Sequence, residues 1–97
     1  MGKVVINATI IWDLHDHPDG NVQHIAEHGV TVEEVEEVLL GPRSRIGRSR
    51  TSGRPQSFGW TSTGKFITVI WEETSDDPRM IYPVTAYEVA PPQGRQR

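Results

Sequence analysis

Two histidines and a run of arginines are the side chains in this sequence best suited to chemistry on a phosphate. His24 and His28 are four residues apart, so they share one face of a helix, and histidine has the unperturbed side-chain pKa closest to neutrality. Such a pair can supply a general base. Arg48 and Arg50 stand in a segment without acids and can stabilise negative charge on a phosphate. The structural alternative for the histidines is that they cap the last carbonyl groups of a helix.

The charge of the chain is strongly segregated. Residues 43–65 contain six basic residues and no acidic one, whereas the rest of the chain holds four basic residues and all 13 acidic ones. This segment predicts a phosphate-binding face in spite of the formal net charge of −3. Besides the two arginines above, its predicted contact residues are Arg43, Arg45, Arg54 and Lys65.

Strand alternation divides the arginines into two sets. Arg43 and Arg45 share one face of a strand, and the opposite parity is shared by Arg48, Arg50 and Arg54. A bulge at Gly47 would insert one extra residue and bring both sets to one face. The alternative is that the segment is partly a loop, whose arginines point to solvent in several directions.

Composition excludes several classes of protein and of site. The chain has 97 residues, 35% hydrophobic and 24% charged, which is typical of one small globular domain. It has no apolar run near the ~20 residues of a membrane-spanning helix and no segment typical of a secretory signal. We therefore expect a cytoplasmic protein with no membrane partner. Because cysteine is absent and His15 and His17 alternate along a loop, no metal or cofactor is expected.

The hydrophobic pattern predicts strands and helices in a definite order. A β-branched run over residues 4–12 indicates a strand, and helices are predicted over residues 21–28 and 31–40. Gly29 suits the left-handed turn that ends the first helix, and Thr31 with Glu34 forms a capping box at the start of the second. Four further strands are predicted over residues 43–50, 56–62, 65–72 and 80–89, with connections at 62–64 and 74–78.

The order β-α-α-β-β-β-β predicts an α+β domain. We expect an antiparallel four- or five-stranded sheet packed on two N-terminal helices, with residues 1–89 as a single domain and 90–97 as a disordered tail. The residues predicted to face inward are Val22, Ile25 and Ala26 in the first helix and Val32, Val35, Val38 and Leu39 in the second.

The tryptophans are predicted to be buried, and the glutamates of the second helix are predicted to be exposed. Trp12, Trp60 and Trp71 are the largest apolar side chains and are expected in the core, with base stacking as the alternative for Trp60. The glutamates of the second helix are expected to form a solvated face, or else a contact surface for a basic partner. They are Glu33, Glu34, Glu36 and Glu37.

Several segments resemble the family of BrnT-type toxins. The matching residues of the most specific block are Trp12-Asp13, Asn21, His24 and His28-Gly29-Val30, followed by the glutamate-rich helix. Residues 64–71 resemble the family's glycine–basic–aliphatic strand, and Val84-Thr85-Ala86 resembles its final strand. The resemblance spans residues 12–89 and implies a RelE-like ribonuclease fold.

This resemblance implies the toxin of a toxin–antitoxin pair, which binds RNA, cleaves it without a metal and is held by a small antitoxin. His24, His28, Arg48 and Arg50 would be catalytic. The family places an arginine after the final Val-Thr-Ala, where this chain has Tyr87, which can hydrogen-bond a phosphate but cannot neutralise it. Two hypotheses therefore stand: a toxin with weak, metal-independent ribonuclease activity, and a non-catalytic relative that binds RNA or protein.

Overall fold

Two helices and five strands form an α+β fold in the computed structural model, which describes residues 7–92. In chain order the elements are β1 (Thr9–Ile10), α1 (Asn21–Glu27), α2 (Val32–Leu40), β2 (Arg45–Arg48), β3 (Pro55–Trp60), β4 (Phe66–Asp76) and β5 (Arg79–Glu88). The predicted α+β class is confirmed. The start of the predicted first strand and the end of the predicted tail, residues 93–97, lie outside the described residues.

The five strands form one mixed sheet in the order β1-β5-β4-β3-β2. Strands β2 to β5 are antiparallel neighbours, but β1 runs parallel to β5, with Thr9 opposite Met80 and Ile10 opposite Ile81. The prediction of a wholly antiparallel sheet is therefore wrong at β1. No hairpin joins β1 to β5, because both helices and the other three strands lie between them in the chain. The two strands can therefore run parallel.

The end of α1 and the start of α2 follow local signals in the sequence. Gly29 follows α1 with a φ of 76°, the left-handed conformation that glycine adopts without strain. At the start of α2, Thr31 Oγ1 accepts from the Glu34 backbone N–H at 3.1 Å, and Glu34 Oε1 accepts from the Thr31 N–H at 3.0 Å. These predictions are confirmed. Neither helix of the described chain is long and apolar enough to cross a membrane.

The core lies between the two helices and one face of the sheet. Helix α1 packs on β5, and α2 packs on β3 and β4. Of the residues predicted to face inward, Val22, Ile25, Val35, Val38 and Leu39 are buried and Val32 is partly buried. Ala26 is exposed, so its predicted place in the core is wrong. The sheet contributes Ile67, Val69, Trp71, Ile81 and Ala86 to this core.

Small residues of β3 allow α2 to approach the sheet closely. A Cβ atom at Gly59 would lie 3.3 Å from Val38 Cγ1, and the buried Ser57 hydroxyl accepts from Trp71 Nε1 at 3.0 Å. Because Ser57 and Gly59 face the helix, strand alternation turns Trp60 to the other face, where it is 58% exposed. The prediction that all three tryptophans lie in the core is wrong for Trp60.

Two local predictions for the strands are also wrong. Gly47 lies opposite Gln56 in an unbroken β2–β3 register, so the expected bulge is absent. Strand β4 continues to Asp76, so only Asp77 and Pro78 connect it to β5. Backbone pairing with β5, which is itself paired with β1 at Met80 and Ile81, outweighs the low strand propensity of the polar residues that end β4.

Candidate functional site

Three aromatic side chains form a patch on the face of the sheet opposite the helices. Phe58 and Trp60 alternate with the helix-facing residues of β3, and Phe66 lies opposite Trp60 at the start of β4. The ring centroids of Trp60 and Phe66 are 5.3 Å apart, and those of Phe58 and Phe66 are 6.5 Å apart and nearly parallel. We call these three residues the aromatic patch. Its partly exposed rings can stack on further planar groups.

A cleft of about 740 Å³ opens beside the aromatic patch. It is lined by the aromatic patch, by residues at the end of α2 and by the loop that leads into β2. Its remaining lining residues are Glu37, Val38, Gly41, Pro42, Arg43, Ser44, Arg45, Gly59, Thr61, Ser62 and Pro92. The space is large enough for planar groups to lie against the aromatic rings.

Two of the predicted RNA-binding arginines lie in the wall of this cleft. Arg45 is opposite Phe58 in the β2–β3 ladder, so their side chains share a face of the sheet, and Arg43 lies two residues before it. Both are exposed, and within residues 7–92 neither forms an ion pair. The cleft therefore combines aromatic stacking surfaces with two arginines that form no ion pair within the described residues.

The remaining arginines do not join this cluster. Arg48 has the opposite strand parity from Arg45, and its Nη1 donates to the Gly53 carbonyl oxygen at 2.6 Å. Arg54 Nε donates to Glu72 Oε2 at 2.7 Å, which offsets its charge. Arg50 is exposed beyond the end of β2. The structure thus divides the predicted basic face instead of presenting it on one side.

Lys65 is held by groups at the end of α1 and the start of α2. Its Nζ donates to the Gly29 carbonyl oxygen at 2.6 Å and to Glu34 at 3.2 Å. Burial raises the pKa of the Glu34 carboxyl, but hydrogen bonds from Thr63 and the Thr31 N–H, together with Lys65, outweigh burial and lower that pKa overall. Glu34 therefore stays ionised beside Lys65, whose charge is largely compensated.

The predicted histidines form a second cluster with Tyr87. The ring centroids of His24 and His28 are 5.3 Å apart, and those of His28 and Tyr87 are 5.9 Å apart. Helix α1 packs on β5, and β5 is separated from β2 by two strands, or about 14 Å between the outer strand axes. The structure therefore brings His24, His28 and Tyr87 together but does not place them beside Arg48 or Arg50.

Two glutamates expected on the solvated face of α2 contact other parts of the chain. Glu36 Oε2 accepts from Trp12 Nε1 at 2.8 Å, and both oxygens of Glu37 accept from the Ser62 backbone N–H at 2.9 Å. Glu34 is buried. Of the four glutamates, only Glu33 is exposed and makes no such contact, as expected for a solvated face. Sequence reasoning missed Glu37 as a cleft residue because its partner is 25 residues away in the chain.

A polar junction secures the loop between β1 and α1. Asn21 is buried, and its Nδ2 donates to the carbonyl oxygens of Ile11 and Pro83 at 3.1 and 2.9 Å. Asp13 Oδ2 accepts from the Tyr82 hydroxyl at 2.6 Å. This bond, followed by one from the Asn21 N–H, lowers the pKa of Asp13, and the same carboxylate raises the pKa of Tyr82 to about 12. The junction has a structural role.

Within the described range, no three His, Asp or Glu side chains are grouped so that they could hold a metal ion. Comparisons of the chain with protein-family models, with curated proteins and with solved structures found no match. The function is therefore argued from the two side-chain clusters.

Proposed function

We propose that this protein binds single-stranded RNA in the cleft beside the aromatic patch. In this proposal Trp60 and Phe66 stack on unpaired bases, while Arg43 and Arg45 contact the phosphates on either side. Base stacking on exposed aromatic rings and ion pairing with the backbone are the two interactions by which proteins hold single strands. A duplex does not offer free base faces, so binding favours single strands.

The observation that carries the proposal is the exposure of Trp60 next to two arginines that form no ion pair within residues 7–92. Trp60 is 58% exposed, although a tryptophan left in water forgoes a large part of the stabilisation that burial of its ring would contribute. Arg43 and Arg45 supply the charge complementarity that selects a polyanion.

A relationship to BrnT-type toxins remains part of this proposal. The two helices that precede four antiparallel strands support a RelE-like arrangement, and the residues of the resemblance supply the junction around Asn21. In that relationship a small antitoxin would be the protein partner. Because the histidines lie away from the cleft, the geometry favours the RNA-binding relative over the ribonuclease.

The test is to measure binding of a labelled single-stranded RNA decamer by fluorescence anisotropy. Trp60→Ala should weaken binding about tenfold, because one stacked base is lost. Leu14→Ala is the control, since Leu14 is an exposed apolar residue that does not line the cleft. Equal binding by wild type and Trp60→Ala, or equal competition by duplex RNA, would contradict the proposal.

A second candidate function is RNA cleavage at the cluster of His24, His28 and Tyr87. The close approach of the three rings supports it, because a histidine base and a phenol donor are suitable groups for transfer of the 2′-hydroxyl proton. Lys65 lies near the same end of α1 but is engaged by Gly29 and Glu34. Any cleavage there should therefore be slow.

A further inference from the structure

Tyr87 lies on the same face of the sheet as the aromatic patch. In β4 and β5, Val69 and Ala86 are paired, and both side chains belong to the core beneath the helices. Their neighbours Thr68 and Tyr87 are also paired, so strand alternation turns both toward the face that the helices leave open. Thr68 is also opposite Phe58 of the aromatic patch. Side chains on this open face therefore form a row from β3 across β4 to β5.

Aromatic rings follow one another across this face at short intervals. The ring centroids of Trp60 and Phe66 are 5.3 Å apart. Phe66 is two residues before Thr68, so it is the diagonal neighbour of Tyr87, and the Cβ atoms of such neighbours are about 7–8 Å apart, within reach of aromatic side chains. The ring centroids of Tyr87 and His28 are 5.9 Å apart. We call Trp60, Phe66, Tyr87 and His28 the aromatic row.

His28 joins the aromatic row at the edge of β5. It is the C-cap of α1, which packs on β5 from the other side of the sheet. Among the described residues, β1 pairs with β5 only at Met80 and Ile81, so no strand lies beyond the end of β5 that carries Tyr87. The rings of His28 and Tyr87 meet around this edge, and His28 is exposed there.

The aromatic row crosses a surface that suits a single strand of RNA. All four of its rings are at least partly exposed, and indole, phenyl, phenol and imidazole rings all stack on bases. The neighbouring residues on this face of β4 and β5 are Thr68, Ile70 and Thr85, none of which carries a charge that would repel phosphates. Arg43 and Arg45 lie at the cleft end of the row.

We propose that one RNA strand binds along the whole aromatic row, from the cleft to His28. This inference rests on the proposed function, since it extends the same RNA site beyond the cleft. The axes of β2 and β5 are about 14 Å apart, a length that about four stacked nucleotides span at ~3.4 Å each. Arg43 and Arg45 contact the phosphates at one end of the strand. Tyr87 and His28 stack on bases at the other end, which a strand of three nucleotides held in the cleft does not reach.

The experiment compares oligouridines of three and eight nucleotides by fluorescence anisotropy. Tyr87→Leu removes a ring but keeps an apolar side chain, and it should lower the ratio of octamer affinity to trimer affinity about tenfold, because only the octamer reaches this position. His28→Ala should lower the ratio in the same way, and Tyr87→Phe, which restores the ring, should recover most of it. Trp60→Ala should weaken binding of the trimer as well. His15→Ala is the matched control, since His15 is an exposed histidine in the loop before α1, and it should leave the ratio unchanged.

The outcomes separate this inference from the proposed function. Failure of wild type to bind either oligouridine overturns both. If Trp60→Ala weakens binding but Tyr87→Leu keeps the affinity ratio of wild type, the extended site is overturned and the proposed function stands. If thermal unfolding shows that Tyr87→Leu does not fold, His28→Ala decides, because His28 is exposed and lies outside the core. An affinity ratio of His28→Ala equal to that of His15→Ala would then overturn the extended site.

Discussion

Asp13 and Asn21 exchange two hydrogen bonds at the start of α1. The Asp13 N–H donates to Asn21 Oδ1, and the Asn21 N–H donates to Asp13 Oδ2, both at 2.9 Å. Because Asn21 also binds carbonyl groups of Ile11 and Pro83, this pair connects the end of β1 to α1 and to the middle of β5. The loop of residues 14–19 is thereby closed at its base.

Removal of the Asn21 side chain should destabilise the fold strongly. Asn21→Ala leaves the buried carbonyl groups of Ile11 and Pro83 without their donor, and an unsatisfied buried group costs about 1–3 kcal/mol. We expect a loss of about 3 kcal/mol in the free energy of unfolding, measured by urea denaturation. Glu27→Ala, an exposed change on the same helix, should cost less than about 0.5 kcal/mol. Similar stability of the two variants would show that the junction is dispensable.

The hydrogen bond from Tyr82 to Asp13 makes the stability of the fold depend on pH in the alkaline range. The pKa of Tyr82 is raised to about 12 in the folded chain, and an unfolded tyrosine titrates near 10. A raised pKa stabilises the fold fully below about pH 10, and this contribution is lost as the pH rises through the folded value. The stability difference between wild type and Tyr82→Phe should therefore be constant up to about pH 10 and shrink between about 10 and 12. Denaturation at a series of pH values measures it, and a difference independent of pH would refute the assignment.

Local signals in the sequence were sufficient for the helices but not for the environment of β3. The capping box at Thr31 and the glycine after α1 depend on neighbours within a few residues, so both were predictable. In β3 the aromatic residues alternate with Ser57 and Gly59, and the sequence predicts that Trp60 is buried. Val38 approaches Gly59 closely, so the residues of β3 that face α2 must be small. This requirement depends on where α2 packs on the sheet, which the sequence alone does not show.

Sites built from segments that lie far apart in the chain could not be predicted from the sequence either. The arginine cluster was expected from composition, but which arginines share a side depended on the β2–β3 register and on the ion pair of Arg54 with Glu72. The pairing of β1 with β5 is equally non-local, because the two strands are joined through the whole of the rest of the domain. Neither relationship leaves a periodic pattern in the sequence.

The buried stripe of α2 should not tolerate charge. Val35 is fully buried between α2 and the sheet, so Val35→Asp places an unpaired carboxylate in the core and should cost several kcal/mol, a large part of the ~5–15 kcal/mol that stabilises a small domain. Leu40→Asp makes a similar change at a position that is 38% exposed and should remain folded. Circular dichroism and thermal unfolding distinguish them, and a cooperative transition of Val35→Asp near that of wild type would disprove the core assignment.

The division of the arginines should appear in the salt dependence of RNA binding. For single strands the slope of log affinity against log salt changes by about 0.7 for each phosphate contact. Arg43→Ala/Arg45→Ala should therefore reduce the slope by about 1.4, whereas Arg48→Ala/Arg50→Ala, which removes the same charge, should change it much less. Anisotropy titrations at several salt concentrations provide the slopes. A larger effect of Arg48→Ala/Arg50→Ala on the slope would show that the phosphates contact Arg48 and Arg50 instead of Arg43 and Arg45.

Cleavage, if the chain performs it, should depend on the histidine cluster rather than on the cleft. His24→Ala/His28→Ala removes both imidazoles, and loss of an acid–base group costs about 10²–10⁴-fold in rate. Trp60→Ala should lower the rate only through weaker binding, so its effect should disappear at saturating RNA. Single-turnover cleavage of an end-labelled RNA, measured with and without chelator, compares both variants. An unchanged rate in the double histidine variant would limit His24 and His28 to capping α1.

Loss of all cleavage on addition of chelator would contradict the metal-independent mechanism. Cleavage by wild type that Tyr87→Phe slows and His24→Ala/His28→Ala abolishes would establish the cluster as a catalytic site separate from the RNA-binding cleft.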